Sequence, residues 1–233
     1  MQSGHAAAFT AGGDLVVAAS NEGTIDIGGQ PLHTSHAAFA VARLAAADGQ
    51  PKWARQFECA YDHFGTLGLG ALAADDDTVW LATYNDSGQP GLHSVDFGLG
   101  PVHGNYYLVA LDSADGGAKW QRPFTSFGGF YDVARDSGDA VIVAGGAADT
   151  LDLGGGLVVT NGAAIVAKYG AADGDFRWAR IVGDHSWNDA HGVDSDAQGH
   201  VYVGGTFAGT MFWGDQQLVA QPGGDGFLAK LLP

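Results

Sequence analysis

The sequence predicts an all-β fold, a β-propeller of four blade-like repeats of about 60 residues, the last lacking its outer strand. Three observations predict it. Short apolar runs, Leu15-Val16-Val17, Val79-Trp80-Leu81, Val141-Ile142-Val143 and Val201-Tyr202-Val203, start 64, 62 and 60 residues apart. The pattern Asp-Gly-x-x-x-Trp-x-Arg occurs three times, at Asp48–Arg55, Asp115–Arg122 and Asp173–Arg180. The composition suits tight turns: Gly is 38 of 233 residues, and of 26 acidic residues only Glu22 and Glu58 are Glu. Asp favours turns and caps where Glu favours helix interiors, and no long window shows helical apolar spacing.

Each repeat reads as four strands, A to D. Strand A runs into a polar turn: Gly12-Gly13-Asp14, Asp75-Asp76-Asp77, Ser137-Gly138-Asp139 or Ala197-Gln198-Gly199-His200. Strand B is the Val-rich run. A recurrent piece follows it: Thr24-Ile25-Asp26-Ile27-Gly28, Ser94-Val95-Asp96-Phe97-Gly98, Thr150-Leu151-Asp152-Leu153-Gly154 and Thr210-Met211-Phe212-Trp213-Gly214. This long B–C connection accounts for a period above the usual blade length of about 40–50 residues. Strand C is apolar and often ends in a base: Arg43, Lys168 or Lys230, with Ala110 in the second copy. Strand D carries the Trp. Asp-Gly supplies a turn with positive φ, and Trp and Arg two apart share a strand face. Trp53, Trp120, Trp178, Arg55, Arg122 and Arg180 are therefore read as structural. Each Trp is expected to be buried on the neighbouring blade, and each Arg to stack on an aromatic or pair with an Asp.

The blades are placed at 5–60, 61–129, 130–187 and 188–233 within one domain, 1–233. A β-sandwich or β-solenoid is the alternative. The fourth copy stops after strand C, and Met1 to Gly4 are too few to supply its D strand. The expectation is a piece of a larger propeller, or a ring completed by a second copy, with Phe227–Leu232 as an exposed apolar edge. The net charge of −16 leaves no basic footprint for nucleic acid. No apolar run is long enough to span a bilayer, and no signal segment opens the chain. The single Cys59 excludes an internal disulfide.

Candidate ligand residues come from sorting the loops. In a propeller the D–A and B–C connections open on one face. His5, His63, His185 and His191 fall in or beside D–A connections, His33, His36, His93 and His103 in B–C connections, and His200 alone in an A–B turn. Tyr61, Phe64, Phe127, Phe130, Tyr131 and Trp187 join the D–A group. The face so defined, with His63, Phe130, Tyr131, Asp132, His185, Trp187, Asp189 and His191, offers aromatic platforms and hydrogen-bonding partners for a carbohydrate or a protein loop. Alternation in His185-x-Trp187-x-Asp189-x-His191 would put two imidazoles and a carboxylate together, but no third ligand is set for zinc and no metal is expected. Asp194-x-Asp196-x-x-Gly199 resembles half a calcium loop and reads as a turn, as does Asp75-Asp76-Asp77. For an enzyme, Asp62, Asp132 and Asp189 lie at equivalent D–A positions, where paired acids would suit a polysaccharide hydrolase or lyase. The residues identify no nucleophile motif and no phosphate loop.

Gly209-Thr210-x-x-x-Gly214 followed by Asp225-Gly226-Phe227-Leu228-Ala229-Lys230-Leu231 resembles the bacterial β-propeller repeat called SBBP. So do Asp173-Gly174 leading to Trp178, and Asp196-Ala197-Gln198-Gly199-His200-Val201-Tyr202-Val203-Gly204-Gly205. The resemblance covers nearly the whole chain and implies an extracellular or surface-attached bacterial protein, a binding or scaffolding module that carries over no catalytic residue. Copy two departs most, with Asn105-Tyr106-Tyr107-Leu108. The Gly-x-x-x-Trp piece is also similar to pyrroloquinoline-quinone-type propellers, in which a Trp docks one blade on the next. That class uses a quinone pocket with a metal and often adjacent cysteines. With one Cys and four repeats, no cofactor is expected here.

Overall fold

Within each repeat the described strands turn back antiparallel on one another, and the A–B and B–C connections recur four times. The computed structural model describes residues 2–58, 67–85, 94–159, 162–183, 188–213 and 216–232, and these contain no helix. Repeat one comprises β1 (Gln2–Phe9), β2 (Leu15–Ile27), β3 (Gln30–Leu44) and β4 (Pro51–Glu58). Repeat two comprises β5 (Leu67–Ala74), β6 (Thr78–Asn85), β7 (Ser94–Asp96), β8 (Pro101–His103), β9 (Tyr106–Asp112) and β10 (Ala118–Phe124). Repeat three comprises β11 (Gly128–Arg135), β12 (Ala140–Ala147), β13 (Thr150–Asp152), β14 (Leu157–Val159), β15 (Ala163–Gly170) and β16 (Phe176–Val182). Repeat four comprises β17 (Asp189–Ser195), β18 (Val201–Phe207), β19 (Thr210–Trp213), β20 (Gln216–Val219) and β21 (Asp225–Leu231).

The sheets run β1-β2-β3-β4, β5-β6-β9-β10 and β11-β12-β15-β16, and the fourth is the three-stranded β17-β18-β21. Strands A, B, C and D thus lie in chain order in the first three sheets, and among the described residues the fourth sheet comprises A, B and C, as the repeat pattern predicts. The B–C connections are small hairpins, β7-β8, β13-β14 and β19-β20; in repeat one the hairpin is the outer half of β2 and β3. Their recurrent Asp closes the turn. Asp26 accepts from the Gly29 amide, Asp96 from Gly98 and Gly100, and Asp152 from Gly154. The residue before that Asp, Val95 or Leu151, is fully buried and anchors the hairpin. Within the span read as one domain, the chain divides into two compact units, Met1–Pro123 and Phe124–Pro233. In the first, Val16, Phe39, Val41, Trp53 and Phe57 pack on Leu67, Val79, Leu81, Val95 and Tyr107. In the second, Ile142, Ala164 and Val166 pack on Val193, Val201, Val203 and Met211.

The three Asp-Gly turns are superimposable in their bonding. Gly49, Gly116 and Gly174 have φ of 71°, 75° and 67°. Asp48, Asp115 and Asp173 each accept from the amide two residues on. Trp53 is 5% exposed, and its Nε1–H donates to the Ser113 carbonyl at 2.8 Å. Its ring lies on Gly116, where a Cβ would collide with it. Arg55 donates to the Asp115 carbonyl at 2.7 Å, so its partner is a backbone oxygen rather than the aromatic ring or Asp side chain expected. Trp120 is also buried, at 7% exposure. Trp178 departs from the expectation of burial. It is only half-buried, and Arg180 stacks over it with the guanidinium carbon 5.7 Å from the ring centre. Its ring packs with one part on the apolar core of the second unit, and Arg180 rather than a glycine turn covers the rest.

A second repeated contact ties the A–B turn to the following strands. Asp14 accepts from Arg43 on β3 at 2.8 Å and from Lys52 on β4 at 2.5 Å, and from the Ala46 amide. Asp136 pairs with Lys168 on β15 in the same way. Lys52, the base before Trp53, therefore points away from the Trp face, as alternation requires.

Two outcomes follow. Trp53→Ala should lower unfolding free energy by about 3–5 kcal/mol, and Trp178→Ala by roughly half as much, because its ring is already half in water; urea unfolding of both variants checks the order. The Lys52 hydrogen bond, then the Ala46 amide and Arg43, hold the Asp14 carboxyl at about 2, below its ordinary 3.8. A depressed folded-state acid stabilises above its unfolded pKa and loses that contribution as pH falls through the folded one. The urea midpoint should therefore drop between about pH 4 and pH 2, and Asp14→Asn should flatten that portion of the profile.

Candidate ligand-binding cleft

Strand A of every repeat carries a bulge at the same place. The register slips between Gly4 and Ala6, Leu69 and Ala71, Phe130 and Asp132, and Ala190 and Gly192. The extra residues are His5, Gly70, Tyr131 and His191. A bulge re-aims its side chain out of the pleat. In repeats one and four the bulged imidazole meets a hydroxyl 15 residues on, His5 with Ser20 at 2.8 Å and His191 with Thr206 at 3.1 Å. In repeat three the pair is Tyr131 and Gly146. A Cβ at Gly146 would run into the Asp189 carboxylate, so the missing side chain is what admits Asp189 to this place.

The result is an open cleft of about 270 Å³ within the second unit, lined by Phe127, Gly128, Tyr131, Gly146, Asn188 and Asp189 with small residues between them. Phe127 and Tyr131 are 47% and 40% exposed. Tyr131 stacks on His191, ring centres 5.6 Å apart and planes 27° from parallel. Burial, then the charge of Asp189 and a hydrogen bond to it, push the Tyr131 hydroxyl up, so it remains a phenol at neutral pH. The floor is tied by backbone hydrogen bonds: Ala148 N–H to Phe127 O at 2.7 Å, Gly162 N–H to Ala147 O at 3.1 Å and Asn188 N–H to Gly162 O at 3.0 Å. The buried Asn188 side chain accepts from the Ala208 amide. A site held this way is pre-formed, and its volume lies just below the lower bound usual for ligand pockets, about 300 Å³.

The structure brings together Tyr131, Asp189 and His191 from the set read in the sequence. Phe130 is placed otherwise: it is 2% exposed and packs edge-on against Phe124 at 5.0 Å, because strand alternation turns it inward just before the bulge. The exposed ring of that loop is Phe127. Asp132 is also placed otherwise. Its Oδ1 accepts from the Val133 amide at 2.9 Å and its Oδ2 from the Val193 amide at 2.8 Å, so it latches β11 to β17 across two bulges. Burial pushes its carboxyl up, against the pull of those two amides. His63, Asp62, His185 and Trp187 lie outside the described residues.

The turn readings of the acidic clusters agree with the geometry. Asp75 accepts from the Asp77 and Thr78 amides, and Asp196 from the Gln198 and His200 amides. Among the described residues no group of three His, Cys, Asp or Glu is placed to hold a metal ion.

No family model matches the chain, and no curated protein matches it. Among solved structures it is similar to the quinohemoprotein alcohol dehydrogenase from Comamonas testosteroni, at 16% identity and a TM-score of 0.40. That alignment covers 80% of this chain and 29% of the other, so the chain spans under a third of that protein's length.

The latch gives a stability test. Asp132→Ala leaves two half-buried amides without their acceptor and should cost about 2–3 kcal/mol, whereas Asp189→Ala should cost less than about 1 kcal/mol. Chemical denaturation of the two variants reads the difference; equal costs would mean that Asp132 is not a latch.

Proposed function

We propose that the chain is a β-propeller module of the SBBP type that binds carbohydrate without transforming it, in the cleft of Phe127, Tyr131, Asn188 and Asp189. The observation that carries this reading is the pairing of two exposed rings with one carboxylate around a pre-formed, small-residue floor. A pyranose ring presents an apolar C–H face to an aromatic ring and hydroxyls at its rim, and a carboxylate accepts from two such hydroxyls. The net charge of −16 favours a neutral or amino sugar over a uronate. An exported or surface-attached bacterial setting belongs to the same proposal and rests on the repeat resemblance. The competing reading, hydrolysis or lysis of a polysaccharide by Asp62, Asp132 and Asp189, draws less support, since Asp132 is held by two amides.

Calorimetric titration with neutral, amino and uronate oligosaccharides tests the binding. The expected result is binding of neutral or amino sugars, weakened about tenfold or more by Tyr131→Ala and by Asp189→Asn, with the melting temperature little changed. Sugar affinity indifferent to both substitutions would remove the cleft from the account, and new reducing ends appearing during the titration would replace binding by catalysis.

A further inference from the structure

We infer that the cleft of Phe127, Tyr131 and Asp189 grips an organic ammonium group, with two aromatic rings and one carboxylate forming a cation site. The inference rests on this cleft being the ligand site of the chain. It narrows the guest from neutral and amino sugars alike to a cationic head group.

Three departures from the repeat meet at this one place. The bulged residue of strand A is His5, Gly70 or His191 in the other repeats and Tyr131 in repeat three. The matching strand-B residue is Ser20, Tyr84 or Thr206 in the others and Gly146 in repeat three. Two residues before the bulge stand Ser3, Gly68 and Gly129 in repeats one to three, and Asp189 in repeat four. The new ring, the missing side chain and the new carboxylate come from two repeats and touch one another. Asp189 accepts from the Tyr131 hydroxyl and occupies the space over Gly146.

The polar groups of the cleft favour a cation over an uncharged guest. Asp189 is the one charged side chain of its lining. The Tyr131 hydroxyl is spent on Asp189. The Asn188 side chain is buried, accepts from the Ala208 amide, and has its nitrogen against Gly183. Ring surface and carboxylate oxygen are therefore what the side chains offer a guest. A hydroxyl gains only a hydrogen bond from them. An ammonium gains the charge of Asp189 and the negative faces of the rings as well. His191 takes one face of Tyr131 and leaves the ring 40% exposed. The bases of this unit are engaged in other places: Lys168 with Asp136, Arg177 with Asp173, Arg180 over Trp178 and Lys230 over Tyr202. A volume of about 270 Å³ suits a head group rather than a whole large ligand.

Two pairs of probes test the inference on the unaltered chain by calorimetry and amide chemical shifts. The first pair is choline and its uncharged carbon isostere, dimethylbutanol. The second is glucosamine oligomers and N-acetylglucosamine oligomers. The charged member should bind about tenfold or more tighter, with shifts at Phe127, Tyr131 and Gly146 and with weakening by salt. Asp189→Asn should abolish the preference, and Tyr131→Leu should weaken the charged probe about tenfold. Preference in the first pair alone identifies a methylated ammonium as the guest, and in the second alone an amino sugar. No preference in either pair, or one that Asp189→Asn leaves intact, would overturn the inference. The sugar reading survives that result if both oligomers bind equally. Preference for choline with neither oligomer bound would overturn the sugar reading and uphold the ammonium site. Failure of all four probes to bind at about 10 mM would overturn both.

Discussion

A sheet that is apolar on both faces cannot stand alone in water, and the contact between Trp53 and the Asp115-Gly116 turn shows how this chain resolves that constraint. Strands β6, β9, β12 and β15 are buried along nearly their whole length, side chains of both faces included. Such a sheet needs a neighbour to cover it, and the neighbour must arrive in one register. Between the first two sheets Trp53 supplies both requirements. Its area drives the contact, while its N–H finds one carbonyl, Ser113, and Arg55 finds the next, Asp115. Only a turn with no side chain at Gly116 lets the ring lie flat on it. The Asp-Gly pair therefore serves twice, once to make a positive-φ turn and once to be a floor.

The candidate cleft arises where repeat three departs from the arrangement that repeats one and four share. At the strand-A bulge, repeats one and four fill the space with an imidazole and a hydroxyl. Repeat three substitutes a larger ring and removes the hydroxyl side chain altogether, and Asp189 from the following strand moves into the vacated place. Repetition provides the rigid scaffold, and departure from it provides a concavity with polar groups. The next position answers the bulge too: the Asp132 carboxylate accepts from the Val133 and Val193 amides beside the two bulges.

Much of the fold was legible because its signals are local. The Val-rich runs, the Asp-Gly turns and the Thr-x-Asp-x-Gly hairpins all sit where period and turn chemistry put them, and Lys52 before Trp53 takes the opposite face. The site was legible only in part. Tyr131, Asp189 and His191 were found by placing them in loops of one class, but the same rule drew in Phe130, which alternation buries, and Asp132, which the bulge consumes. The bulge was the missing signal. His5, Tyr131 and His191 stand at one repeat position, and aligning them on the turns that follow would have exposed the extra residue. The half-exposure of Trp178 is illegible for another reason: burial of a docking residue depends on what packs over it, which no window around Trp178 contains.

The acidity of the chain has a structural origin, and that bears on what it can bind. Asp26, Asp48, Asp75, Asp96, Asp115, Asp152, Asp173 and Asp196 each accept backbone amides within their own turns. They are there because an ionised, short side chain closes a tight turn well. The net charge of −16 is the by-product of many such turns. It recruits the few bases into clasps such as Asp14 with Arg43 and Lys52, where two cations answer one carboxylate. The same excess sets a negative field over the surface, which repels anions at a distance and attracts cations before any contact is made.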